Sequence, residues 1–260
     1  MHPPACRSPT PSPADGSYTG PVPAPPPSAP SPRPVVLGSL RTEVERDRNT
    51  PGLLGSWGES TVIEEDSTVP VLERAAFEKL HEWAGVSAEW PRGHAGLVHV
   101  YGYLTSAVGT RFGLKSDRWL GGGVARALDR PEREFLPGII GGTTMLSRVT
   151  QALLPVLTNT EAAGCIEACV DDLIGDSPED AMRTALVRGS GGDRAIVYGR
   201  VHGEEVRLVT AFSLAPASVD AVVEEILAGP PRLRYNAVLP GLPERSALHT
   251  QRVIVPHGWP

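Results

Sequence analysis

The chain has 260 residues, a formal net charge of −6, 27 prolines and three cysteines. An acidic balance disfavours nucleic-acid partners, because affinity for phosphate backbones comes from clustered Lys and Arg. No apolar run reaches the ~20 residues that span a bilayer and the N-terminus lacks the apolar core of a secretory signal, so the expectation is a soluble, cytoplasmic protein without a membrane partner.

The first 34 residues, "MHPPACRSPTPSPADGSYTGPVPAPPPSAPSPRP", are nearly free of large aliphatics and crowded with proline, serine and alanine. Such a segment buries too little apolar surface to offset the entropy of ordering, which predicts a disordered, polyproline-like lead. Residues 35–68 mix short apolar runs with charges and Gly-Pro punctuation and read as a loosely ordered lead-in. Residues 69–260 are long enough for one α+β domain with a proper core.

Within that domain "VPVLERAAFEKLHEWAG" has apolar residues at Leu72, Ala75, Ala76, Leu80 and Trp83, a helical stripe that Gly85 stops. Next, "AGLVHVYGYLTS" is rich in β-branched and aromatic residues and predicts a strand, with His99, Tyr101 and Tyr103 on one face. The sequence from Arg111 to Phe135 gives no clear element. "TTMLSRVTQALLPVL" reads as a strand pair or as a helix that Pro155 ends, with strand favoured for its first half, whereas "NTEAAGCIEACVDDLIG" reads as a helix capped by Asn159 or Thr160. "AMRTALVRGS", "RAIVYGRV" and "EVRLVTAFSL", separated by glycine-bearing turns, have the pattern of an antiparallel meander. An amphipathic helix, "APASVDAVVEEILAG", and a strand, "RLRYNAVL", follow. The order predicts an α+β fold with a mainly antiparallel sheet and helices packed on one face.

Candidate chemistry concentrates between His99 and Trp119. Arg111 and Arg118 can grip a carboxylate or phosphate through paired N–H groups, Lys115 adds a point charge, and Trp119 supplies a wall. His99 or Tyr101 would then move a proton, with Tyr103 as a further donor and Arg234, from the row Arg232, Arg234 and Asn236, reaching the same anion. The competing reading of these residues is a half-buried strand face and a solvated cationic loop. The glycine cluster "GIIGGTTML" is a second anion candidate as a backbone nest, although it lacks the P-loop ending.

Cys165 and Cys169 sit among small apolar residues and read as core, His94 and His99 would face opposite ways on a strand, and no metal site is expected. No nucleophile elbow occurs, and neither a nucleotide nor another cofactor is implied. The adjacent pairs Glu64–Glu65, Asp171–Asp172 and Glu204–Glu205 read as solvated faces. Basic residues are almost all arginine, the usage of a high-GC bacterium. The expectation is therefore an enzyme of specialised metabolism acting on a small anionic metabolite, with homo-oligomers compatible. The alternative is a non-catalytic interaction module that docks partners through its sheet and Pro-rich lead.

Overall fold

A computed structural model describes residues 35–64, 68–110, 113–158, 166–174, 179–228, 237–238 and 250–255. The Pro-rich lead, Arg111, Cys165 and the Arg232–Arg234–Asn236 row lie outside the described residues. Every described residue belongs to one compact unit, 32–260.

The fold is α+β with antiparallel sheets. Its helices are α1 (Arg41–Arg48), α2 (Arg74–Ala84), the short α3 (Asp117–Leu120) and α4 (Gly123–Ala127), α5 (Met145–Thr158) and α6 (Val219–Ala228). The strands are β1 (Glu59–Thr61), β2 (Arg92–His94), the minimal pair β3 (Gly109–Thr110) and β4 (Gly113–Leu114), the long β5 (Ile166–Ile174), β6 (Asp180–Arg188), β7 (Arg194–His202) and β8 (Glu205–Leu214), then β9 (Ala237–Val238) and β10 (Thr250–Val255). The main sheet runs β10-β5-β6-β7-β8 and a small one runs β2-β1-β9, with every pairing antiparallel.

Alternation along the long strands gives the main sheet two faces. Cys169, Ala185, Val187, Ala195, Val197 and Ala211 join the core that contains α5 and most of the N-terminal helical layer. Val170, Leu186, Ile196 and Phe212 turn the other way and meet Val219, Val222 and Ile226 of α6. The meander and α6 match the sequence expectation. Residues 35–64, expected to be loosely attached, supply Leu40, Val44, Trp57 and Val62 to the larger core. Close approach explains one interior glycine: a Cβ on Gly199 would run into Leu157 Cδ1 of α5.

Several expectations are overturned. Residues 95–104 form a helix with a π-helical centre at Leu97–Gly102, and every one of them is buried. A helix buried all round needs no polar face, so its composition carries no helical period. Met145–Thr158 are helix throughout, so the strand favoured for the first half is corrected, and Pro155 lies inside α5 instead of ending it. The stretch expected to be a helix from Asn159 is strand β5 from Ile166 on, and 159–165 lie outside the described residues. Its acidic residues are cross-strand partners: Asp171 receives two hydrogen bonds of 2.7 Å from Arg183, whose third nitrogen reaches Leu157 O at the end of α5. Asp171 and Asp172 are buried, not solvated. In α2 the buried face is Phe77, Leu80, His81 and Ala84, with Gly85 closing the helix at φ 65° as expected.

Candidate functional site

The helix at 95–104 positions the centre of the molecule. His94 starts it: its Nδ1 accepts the Leu97 N–H at 3.2 Å, while Nε2 is 2.8 Å from Leu54 O. Helical spacing puts His99 and Tyr103 on one face and Tyr101 on another, so the expectation that all three share a strand face is corrected.

On the first face the Tyr103 ring stacks on His99 at 4.8 Å between centroids, with the planes 22° apart. Arg118 lies 4.7 Å and Lys115 5.0 Å from the same ring, both as cation–π neighbours. Lys115 Nζ pairs with Glu64 Oε2 at 2.5 Å, and Arg118 Nη1 donates to Thr210 Oγ1 of β8 at 2.6 Å. The Arg118 guanidinium also stands 5.3 Å from the Phe212 ring. Trp119 Nε1 donates to His99 O at 2.6 Å, and His99 Nε2 meets Ser60 Oγ at 2.8 Å. The structure thus brings together His99, Tyr103, Lys115, Arg118 and Trp119, all of them buried.

Burial dominates the electrostatics. Desolvation, helped by the Arg118 and Lys115 cations, holds His99 well below the ordinary imidazole range, so the ring is neutral at pH 7. Tyr103 is pushed up to about 12 by desolvation, against the pull of Arg118. Arg118 is lowered by the same desolvation. It has no carboxylate within 4.0 Å among the described residues. It lines a cavity of about 50 Å³ together with Thr110, Gly113, Leu114, Asp117, Phe212 and Ser213.

Tyr101 belongs elsewhere. Its hydroxyl donates to Asp47 Oδ2 at 2.5 Å and accepts the Leu146 N–H at 3.4 Å. Thr144 bonds Asp47 Oδ1 and accepts the Ser147 N–H at 3.2 Å, while Glu43 Oε2 accepts the Met145 N–H at 2.9 Å. The amides at the start of α5, which no intrahelical carbonyl serves, are thereby satisfied by side chains. Desolvation raises the Asp47 carboxyl to about 6, although its bonds to Thr144 and Tyr101 oppose the shift.

The glycine cluster also has a specific use. Gly141 and Gly142, at φ 58° and 82°, form a two-residue turn closed by reciprocal bonds between Ile140 and Thr143. Its anion is internal: Glu43 Oε1 accepts the Gly138 N–H at 2.6 Å. Arg148 braces the loop by donating to the carbonyls of Glu134, Leu136, Gly138 and Thr143. Leu136, Ile139 and Ile140 project from it and are exposed.

Sequence reasoning places Asp117 on the candidate loop but gives no site role to it or to Ser60, Glu64, Thr210 and Phe212. Adjacency to Glu65 suggests a solvated face for Glu64, yet it is only 7% exposed. A signal existed, because Lys79 and Lys115 are the only lysines, and Lys115 lies within an otherwise neutral "FGLKS". Cys169 is buried in β5, and desolvation pushes its thiol up to about 11. Among the described residues no group of three or more His, Cys, Asp and Glu could hold a metal, and no helix is long and apolar enough to cross a membrane. No protein-family model, curated protein or solved structure matches the chain.

Proposed function

We propose that this protein binds a small carboxylate- or phosphate-bearing metabolite at Arg118, as an enzyme or receptor of specialised metabolism in the cytoplasm of a high-GC bacterium. The observation that carries the reading is Arg118 itself, a buried cation with aromatic rings on two sides, one hydroxyl partner, no described carboxylate and a cavity beside it. An isolated buried charge is costly, and an incoming anion would offset that cost through paired N–H donors. Lys115 and Tyr103 set the local field, and the neutral His99 ring stacks on Tyr103 as the candidate base of this cluster. A proton-transfer role for Tyr101 has less support, because its hydroxyl is committed to Asp47 and to the start of α5.

The test is a thermal-shift panel of amino acids, keto acids and phosphates on the wild type and on Arg118→Gln, with near-ultraviolet circular dichroism to confirm packing. Stabilisation by one anionic class, lost in a folded variant, is the expected result. A wild type that no anion stabilises removes the reading.

A specific observation also favours the interaction module as a second reading: Leu136, Ile139 and Ile140 are displayed on a loop held by Arg148, instead of being buried. Exposed apolar groups on a braced loop are characteristic of contact surfaces. Ile139→Asp with Ile140→Asp should then abolish capture of a protein partner while leaving anion binding intact.

A further inference from the structure

The Arg118 cavity has a second charged wall. Asp117 lines it as well, and its Oδ1 is buried without a hydrogen-bond partner. Although Asp117 and Arg118 are neighbours in the chain, no ion pair joins them, so each keeps its charge for something else. Desolvation raises the Asp117 carboxyl, as expected for an acid that lacks a cation. Leu114 and Phe212 add apolar walls to the cavity, and Thr110 and Ser213 add hydroxyls. Gly113 is exposed and Thr110, Leu114 and Asp117 are half-buried, which places the mouth on the β3–β4 side.

A simple anion is an incomplete partner for this cavity, because it would meet a carboxylate as well as a guanidinium. Deepening the anion reading, on which it rests, we infer that the ligand is a small zwitterionic amino acid, with its carboxylate on Arg118 and its ammonium on Asp117. Size narrows the class. One water needs roughly 10–15 Å³ of such space, so a cavity of about 50 Å³ has room for about three to five water-sized positions. Glycine, with five heavy atoms, fits that range and alanine and β-alanine, with six, stand just above it, whereas sugar phosphates and nucleotides are too large. The two ends also read different groups, so an analogue that lacks either one leaves a cavity charge unpaired and binds less tightly.

Isothermal titration calorimetry with glycine, β-alanine, acetate, methylammonium and inorganic phosphate tests this on the full chain. It would use the wild type, Arg118→Lys and Asp117→Asn. Asp117 is half-buried and Asn matches its shape, so that variant keeps the test open if Arg118→Lys fails to fold. Glycine or β-alanine should bind the wild type at least about tenfold more tightly than acetate, and Asp117→Asn should erase that preference. If acetate or phosphate binds as tightly as glycine and Asp117→Asn changes neither, the zwitterion inference falls while the anion reading stands. If no solute binds the wild type, both fall.

Discussion

Asp47 carries an unusual load for one residue. Its two oxygens meet Tyr101 and Thr144, and through them it governs the first turn of α5. Its folded pKa of about 6 lies above the ordinary 3.8, so its contribution to stability is fully present below about pH 4 and is lost as pH rises through 6. Asn at this position mimics the protonated acid. Asp47→Asn should therefore be more stable than the wild type at pH 7, by at most about 3 kcal/mol, with the gap closing by pH 4. Urea midpoints of the two proteins across this range test it, and a gap independent of pH would sink the assignment.

At the scale of elements, the loop preceding α5 is a mechanical unit. Arg148 satisfies four backbone carbonyls that would otherwise be left without partners in a non-repetitive segment. Replacing it with Met keeps much of the volume and removes every donor. Arg148→Met should cost about 2–4 kcal/mol. It should also raise amide hydrogen exchange at 136–144 more than elsewhere; uniform exchange would mean the brace is not local. The elements differ in how openly the sequence declares them. Strands β6 to β8 are legible because runs carrying Val, Ile, Tyr, Phe and Thr are bounded by glycine-bearing turns. In α5 the apolar positions Met145, Leu146, Val149, Leu153 and Val156 do follow a helical period, but Pro155 and the threonines point elsewhere. The helix at 95–104 has no such pattern to find, since water touches none of its faces. Of the site, the cations Lys115 and Arg118 and the rings of Tyr103 and Trp119 are visible by residue type. Their partners Glu64, Thr210 and Phe212 come from distant parts of the chain, and a linear pattern cannot place them together.

Across the whole molecule the N-terminal helical layer and the sheet share one interior. Trp57 Nε1 donates to Thr150 Oγ1 of α5 at 2.8 Å, and the Gly58 N–H reaches Leu208 O of edge strand β8 at the same distance. This edge is thereby partly covered, which limits pairing with other chains. Histidines couple the layer internally: His81 Nε2 accepts the His94 N–H at 3.0 Å, and desolvation lowers His81, His94 and His99, with His94 falling to about 4. A depressed folded pKa stabilises the protein above the unfolded value near 6.5, and this contribution is lost as pH falls towards 4. Acid should therefore loosen the histidine-bearing layer. His94→Gln should flatten the decline in urea midpoint between pH 6.5 and 4 relative to the wild type, whereas a parallel decline would show that the imidazoles are not responsible.

Glu43 holds the place that an external ion would occupy in many proteins, between the amides of Gly138 and Met145. The chain is, in effect, saturated with its own tethered acid there, which explains why a glycine-rich stretch shaped for an anion need not recruit one from solution. Cutting the tether reverses the relationship. Glu43→Ala should lower the melting temperature, and millimolar formate or acetate should restore part of the loss in the variant without stabilising the wild type at this position, turning a structural contact into a chemically complementable vacancy.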